Sequence, residues 1–391
     1  MAQAGGTVGP RPRHPFEVDL RSSAAMEIAA FVAGALLVAL VAWDLFQTVV
    51  VPRPSPGRFR MARYVIRGSW WAVKRAGRRL GGRWRDTVFG LFGPGSAILL
   101  LAVWLAALIV GFGLMLFGLR GELSPAPDDL GTAIYFAASS LLTLGSGEVL
   151  AHGAAARILV VVAAAGGLGA VALVVTFLFS LYGSYQRREV AVVTLQAASG
   201  APPSAVELLE TYASLGLRDR LDPLFAEWET WSAEVLDSHV AYPILGFFRS
   251  SHDILSWISA LGTILDAASL VVTTIEDVPR GSAELCRRVG SHLVEDLSNI
   301  GFREGDGTWL SRPDFDLVCD RLERAGYRLA RRDEAWGRFE AARLAYAPRL
   351  EAMARYWDVA ASSWLGTMEE LRSLAHPEPA RREDEQAPIY L

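Results

Sequence analysis

Lysine is almost missing from this 391-residue chain: Lys74 is the only one, so arginine supplies nearly all of the 38 basic residues. That preference points to a high-GC genome and a bacterial source. Cysteine is nearly absent as well. Cys286 and Cys319 both fall in the second half and support neither a disulfide framework nor a zinc site. The six histidines show no metal spacing, and no phosphate-binding glycine loop occurs in the second half. Ser251, His252 and Asp253 are adjacent in sequence, which cannot set three side chains as a catalytic relay on a helix. Alternating strand patterns are scarce. These absences argue against an enzyme, a metalloprotein and a nucleotide-binding sheet domain.

Long apolar runs, by contrast, are plentiful. The chain is 52% hydrophobic, too apolar for an ordinary soluble protein, and the apolar residues concentrate in the first half. Residues 26–51 are nearly continuous in Ala, Val, Leu and Phe and are long enough to cross a bilayer. A second span is expected at 96–119 and a third at 156–182. Residues 128–142 are apolar but too short to cross, so they should enter the membrane and return. The first span is too long for a signal peptide and has no small-residue cleavage site after it, so it is expected to be retained.

Charge sets the expected orientation. Between residues 52 and 87 stand eleven basic residues (Arg53, Arg58, Arg60, Arg63, Arg67, Lys74, Arg75, Arg78, Arg79, Arg83 and Arg85) against the single acid Asp86. Such a loop stays in the cytoplasm, which places the N-terminus and the acidic 122–129 loop outside and everything after Gln186-Arg187-Arg188 inside. Arg11, Arg13 and Arg21 on the outer side are a mild violation that the larger loop outvotes. Of the 38 basic and 42 acidic residues, 16 and 9 lie in residues 1–184, leaving 22 and 33 beyond. The halves thus carry about +7 and −11. The basic part suits anionic inner-leaflet lipid, while the acidic half argues against nucleic-acid binding.

The most informative stretch is 131–150, between the second and third spans. A half-length apolar helix there gives way to Thr143-Leu144-Gly145-Ser146-Gly147-Glu148. Successive carbonyls turned toward one side require alternating left- and right-handed dihedrals, which Gly145 and Gly147 adopt at no steric cost. Rows of such carbonyls replace the water that a cation sheds. Asp128 and Asp129 precede the short helix, where carboxylates cap free amides and concentrate cations at an outer mouth. The bland alternative is a flexible glycine loop between two spans.

Residues 96–185 resemble the pore module of the tetrameric potassium-channel superfamily. That family orders an outer helix, a re-entrant pore helix, a filter of the form Thr-Val-Gly-Tyr-Gly-Asp and an inner helix. The resemblance implies that the carbonyls of Thr143, Leu144, Gly145 and Ser146 hold potassium. It also implies that the Thr143 hydroxyl completes the innermost site, that Gly147 closes the filter and that Glu148 lies at the outer mouth. Ser146 departs from the family, whose aromatic residue there packs behind the filter, and Leu142 stands where a second Thr is common. Ser139 and Ser140 are left to hydrogen-bond the filter from behind. These departures give the rival expectation of a weakly selective cation channel. In Gly166-Gly167-Leu168-Gly169 the resemblance makes Gly167 a gating-hinge candidate, flanked by Gly166 and Gly169. Close helix packing is the competing use of the same small side chains. One filter strand supplies a quarter of a cage, so the resemblance implies a homotetramer. No cofactor is called for beyond the permeant potassium ion.

Asp44 lies inside the first span, about 12 Å from its cytoplasmic end. A membrane acid is a functional candidate, but an ion pair with an arginine of the next loop, or snorkelling to the inner interface, is favoured. Arg60, Arg63, Arg67, Lys74 and Arg78 share a helical face without an apolar run to carry them across. With Tyr64, Trp70, Trp71 and Trp84 interleaved, an interfacial helix on anionic lipid is preferred over a voltage sensor.

Beyond the turn-rich 198–203 stretch the pattern is helical. Helices are expected at 204–215, 222–240, 281–300, 312–332 and 333–374. The first has Ser204 and Glu207 as a capping box and Gly216 as its stop. Residues 244–274 are apolar but interrupted by Arg249, His252, Asp253 and Asp266, so they read as the centre of a soluble core rather than a fourth span. The expectation is an all-α membrane protein with an extracytoplasmic tail (1–23), a first transmembrane helix (24–51), a basic cytoplasmic or interfacial linker (52–93), a pore domain (94–186), a helical cytoplasmic domain (187–375) and a disordered tail (376–391). It sits in the inner (plasma) membrane, and the cytoplasmic domain biases gating through a ligand or protein partner that the residues do not name. The rival from another class is a membrane-anchored signalling or scaffold protein with a structural pore-like module.

Overall fold

A computed structural model describes residues 15–51, 60–200, 203–250, 256–298 and 311–359. The expected tail 376–391 and the Ser251-His252-Asp253 triplet lie outside these. The chain is helical nearly throughout, with helices α1 (Pro15–Leu45), α2 (Met61–Gly77), α3 (Gly82–Gly118), α4 (Leu130–Leu141), α5 (Ala154–Ser199), α6 (Ala205–Ser214), α7 (Leu221–Ala241), α8 (Trp257–Thr273), α9 (Gly281–Ser298), α10 (Arg312–Arg324), α11 (Arg332–Leu344) and α12 (Ala347–Trp357). Strands β1 (Leu123–Ser124) and β2 (Leu150–Ala151) pair antiparallel. Three stretches, Ala24–Val50, Trp84–Gly118 and Ala154–Ser199, are long and apolar enough to cross a membrane, and Leu130–Leu141 and Trp257–Thr273 are shorter apolar helices.

The chain divides into two compact units: residues 1–50 with 99–176, and residues 51–98 with 177–391. In the first, α1 lies against the distal part of α3 where two glycines face each other. A side chain on Gly34 would strike the Gly111 carbonyl, and one on Gly111 would reach Val38 Cγ2 at 2.8 Å. Helices in lipid lack a hydrophobic driving force toward one another, and such small residues give them the close contact that replaces it. Trp104 donates its indole N–H to Asp44 at 2.8 Å, both side chains being buried. The Arg120 guanidinium pairs with Glu27 at 2.8 Å near the other end of the same helix pair.

The second unit has one core that takes in more of the chain than its C-terminal helices. Trp70 of α2 packs on Phe89 and Phe92 of α3 and on Phe247, with ring centroids 4.8–5.4 Å apart. Val192 and Leu195 of α5 join the same core. At its centre lies α8, buried along its whole length except at Val272 and packed by α6, α7, α9, α11 and α12. Ser256 and Ser259 close a capping box at its start. Its buried acid, Asp266, accepts from Tyr346 at 2.6 Å and from Arg343 at 3.1 Å. A lone carboxylate inside apolar surroundings is expensive, so both partners follow it inward.

Several boundaries differ from expectation. α1 begins at Pro15, inside the stretch expected to be a tail. α3 passes through Pro94 instead of starting after it, and the Ser96 hydroxyl donates to the Gly93 carbonyl at 2.8 Å beside the proline. α2 and the first turns of α3 are core-packed elements of the second unit rather than a linker. Residues 312–332 break after Arg324, because Gly326 turns at φ +86° and Arg218 donates to the carbonyls of Ala325 and Gly326. The stretch after 333 breaks at Tyr346, and Pro348, having no N–H to give, starts α12. Ser204 is the N-cap of α6 without the side-chain cap expected of it. Gly216 ends that helix at φ +67°: it donates to Ala213, and Leu217 donates to Tyr212.

Candidate functional site

α4 is a twelve-residue helix whose start and end are both defined by polar groups. Asp129, extended at φ −135°, accepts from the Thr132 amide at 2.9 Å and its hydroxyl at 3.1 Å, which satisfies one of the free amides of the first turn. Those bonds hold the Asp129 carboxyl below its ordinary value. Asp128 stands exposed beside it. At the far end, Leu142, Thr143 and Leu144 donate backward to Ala138, Ser140 and Ser139, so the helix unwinds within one turn.

The strand beyond α4 has an alternating backbone. Thr143, Gly145 and Gly147 take φ of 56°, 64° and 73°, while Leu144 and Ser146 between them keep the ordinary sign. Gly145 and Gly147 do this freely. For Thr143, a β-branched residue, the same conformation costs on the order of 1–3 kcal/mol and persists only where its surroundings enforce it. Alternation of this kind turns successive carbonyls to one side of the strand. Among the described residues, the carbonyl oxygens of Thr143, Leu144, Gly145 and Ser146 accept no hydrogen bond. A row of carbonyl oxygens with no partner in the chain is open to a donor or an ion from outside it.

Behind this strand, Ser139 is buried and Ser140 is not equivalent to it. The Ser139 hydroxyl lies 3.3 Å from the Ser146 hydroxyl and accepts from the Ser146 amide at 3.4 Å, whereas Ser140 donates back to Phe136 of its own helix at 2.8 Å. Only one of the two expected serines therefore reaches the strand. Glu148 is exposed at its end. Glu122, whose role the sequence does not announce, ties the outer loop together: its carboxylate accepts from the Ala156 amide at 2.9 Å at the start of α5, and its carbonyl accepts from His152 and Gly153.

The three glycines of α5 also separate. A side chain on Gly167 would collide with the Leu141 carbonyl at the end of α4, so this position lets the two helices touch. Gly166 has only Phe112 nearby, at 3.9 Å, and Gly169 has open space. α5 continues unbroken through all three. Asp44 is anchored by Trp104, on a helix rather than on the following loop.

The basic residues after the first and third spans have unequal fates. Lys74 donates to the Tyr356 carbonyl at 3.0 Å and Arg85 pairs with Asp358 at 2.7 Å, so both serve the core of the second unit. Trp70 is buried, while Tyr64, Trp71 and Trp84 are exposed. Arg188, expected only as a topological marker, is fully buried. It donates to Glu189, to the carbonyls of Leu245 (3.1 Å) and Phe248 (2.6 Å) and to His239 Nε2 (3.1 Å), and it lies over the rings of Tyr185 and Trp257. Because a guanidinium only donates, His239 Nε2 must accept, and Nδ1 carries the proton to the Val235 carbonyl at 2.9 Å. Burial, then the Arg188 charge, holds His239 well below its ordinary pKa. The two cysteines are buried and free, their thiols pushed by desolvation to about 12 and about 11, which makes them poor nucleophiles. Among the described residues no three His, Cys, Asp or Glu side chains cluster as a metal site.

The chain matches no curated protein and no solved structure. Residues 98–183 match the family described as ion channel, a stretch that covers most of α3, all of α4, the alternating strand and two thirds of α5.

Proposed function

We propose that four copies of this membrane protein enclose a pore that conducts monovalent cations passively, potassium before sodium, a reading supported by the match of residues 98–183 to the ion-channel family. The observation that carries this reading is the alternating backbone at Thr143, Gly145 and Gly147 beside four uncommitted carbonyls. In the proposed assembly the carbonyls of Thr143 to Ser146 replace the ion's water, and Asp128, Asp129 and Glu148 raise its concentration outside. The N-terminus then faces outward and the second unit lies in the cytoplasm of a bacterial cell, as the basic 52–87 stretch requires. Gating is movement of α5, whose continuation into the second unit carries the buried Arg188. Gly166 and Gly169, which have room, are better placed to flex than Gly167. The second unit thus acts on the pore through a ligand or partner of its own.

The deciding measurement is the reversal potential of the purified protein in planar bilayers with potassium on one side and sodium on the other. A value near the potassium equilibrium potential is expected. Sizeable current reversing near zero would make it a weakly selective cation channel, the reading that Ser146 favours by supplying no ring behind the strand. Absence of current at every pH, calcium level and lipid composition would shift the reading to a membrane-anchored signalling protein.

A further inference from the structure

Within the second unit, many arginines pair with carboxylates. Arg321 pairs with Glu210, Arg332 with Asp320 and Glu323, Arg312 with Asp316 and Asp333, and Arg343 with Asp266. Two arginines of α2 do not. Arg63 and Arg67 lie one turn apart on it, and neither has a carboxylate partner among the described residues. Arg63 Nε and one terminal nitrogen of Arg67 are also buried without a hydrogen bond. Partial burial, then the charge of Arg67, lowers the Arg63 pKa. Between residues 52 and 87 the one acid is Asp86, and its salt bridge goes to Arg249 at 3.7 Å.

Two guanidinium groups so placed suit a phosphate, which accepts several of their fixed donors at once. The neighbouring surface says where that phosphate comes from. With Trp70 turned into the core, α2 leaves Tyr64 and Trp71 more than half exposed, and Trp84 is 72% exposed just beyond the turn. The Arg75 guanidinium lies over the Trp71 ring at 5.9 Å. Exposed indoles among arginines are costly in water and at home among lipid headgroups. α2 is also tethered to the membrane at both ends: it starts eleven residues after Val50, where one membrane-crossing stretch ends, and is followed within seven residues by Trp84, where the next begins.

The geometry points to an anionic-phospholipid site on α2, in which Arg63 and Arg67 take the headgroup phosphate and Trp71 lies at the headgroup level. This site rests on the membrane localisation of the chain and not on conduction. Its test is read by binding, so a failure to conduct leaves it intact.

The full-length protein in neutral detergent is titrated with phosphatidylglycerol, phosphatidylcholine or inorganic phosphate, and bound lipid is counted by native mass spectrometry. Phosphatidylglycerol should be retained over phosphatidylcholine, and R63Q/R67Q should weaken that retention on the order of tenfold, while R63K/R67K, which keeps the charge, should lose less. Equal retention of the two lipids, or equal retention by wild type and R63Q/R67Q, overturns the site. So does displacement by inorganic phosphate at the lipid's own concentration, which would mark a soluble-anion site. If R63Q/R67Q does not fold, the exposed Trp71→Phe reads the same face. Brominated phosphatidylglycerol should quench a component of the fluorescence of wild type that W71F lacks, and identical quenching in both would refute it.

Discussion

α4 and α8 are both apolar helices too short to cross a membrane, and hydropathy alone cannot separate them. Their surroundings do. α8 is wrapped by five helices, its only acid is matched by Arg343 and Tyr346, and its cap is made by serines of its own segment. α4 buries five of its residues, is capped by an exposed acid and runs at once into a strand whose carbonyls no described residue claims. One helix satisfies its own polar groups; the other leaves those of the strand at its end open. What separates the two is therefore less the apolar helix than the strand attached to its end.

The sharpest way to break the comparison is to substitute Gly145 with Ala. A Cβ there meets nothing within 4 Å, so the cost is purely that of a left-handed alanine, about 1–2 kcal/mol. A single globular core would absorb that. In the proposed pore the strand would flip a peptide and turn a carbonyl away, and potassium current per assembled protein should fall at least tenfold while assembly and membrane insertion persist. Unchanged current and selectivity in bilayer recordings would mean that the alternation is not what conducts.

The converse applies to α8. Asp266→Ala should destabilise the second unit by roughly 3–5 kcal/mol, since it removes the buried carboxylate to which Arg343 and Tyr346 both donate. The double change Asp266→Leu with Arg343→Met should recover most of that loss, because apolar side chains can replace a buried pair. Urea unfolding of the full chain in detergent, followed by tryptophan fluorescence, checks both. If the double variant were no better than the single, the pair would be serving something other than polar satisfaction.

His239, whose ring packs 4.9 Å from that of Trp257 at the start of α8, gives a smaller and graded effect. Its folded pKa is depressed, so over the acid range the unfolded chain binds a proton that the folded chain refuses. Stability of the second unit should therefore fall as pH drops below about 6.5. Protonation would also set a donor at Nε2 against the Arg188 guanidinium. A His239→Gln variant should flatten that acid limb in melting curves recorded between pH 5 and 8. An equally steep limb in the variant would assign it to carboxylates elsewhere.

Much of this was legible in sequence because it depends on composition over long windows. The all-α fold and the long apolar helices announce themselves that way, whereas the match of residues 98–183 to the ion-channel family was foreshadowed by the short motif between the second and third spans. The core role of the 244–274 stretch was readable from its interrupting charges, and Gly216 from the rule that only glycine ends a helix cheaply in the left-handed region. What the sequence hid was partner choice at a distance. Arg188 reads as an interfacial charge until the carbonyls of Leu245 and Phe248 fold over it. Asp44 gives no hint of Trp104, sixty residues away. Trp70 and Trp71 are neighbours of one composition, yet one enters the core and the other faces out, a difference set by about 100° of helix turn and by Phe89, Phe92 and Phe247.

The finest distinction lies between Ser139 and Ser140, again adjacent. Ser139 touches Ser146 through two contacts at the long end of hydrogen-bonding distance, and Ser140 only its own helix. Ser139→Ala should therefore cost about 0.5–1.5 kcal/mol locally. It should also widen the tolerance of the strand, moving the potassium–sodium reversal potential toward zero by a few millivolts to tens of millivolts, an order-of-magnitude expectation from that energy. Ser140→Ala should move it far less. The paired comparison isolates the two Ser139–Ser146 contacts, which in the proposed pore take the place of the aromatic ring behind the strand. If the two alanines shift selectivity equally, Ser146 is held by something other than Ser139, and the stiffness of the strand must come from its neighbours in the assembly.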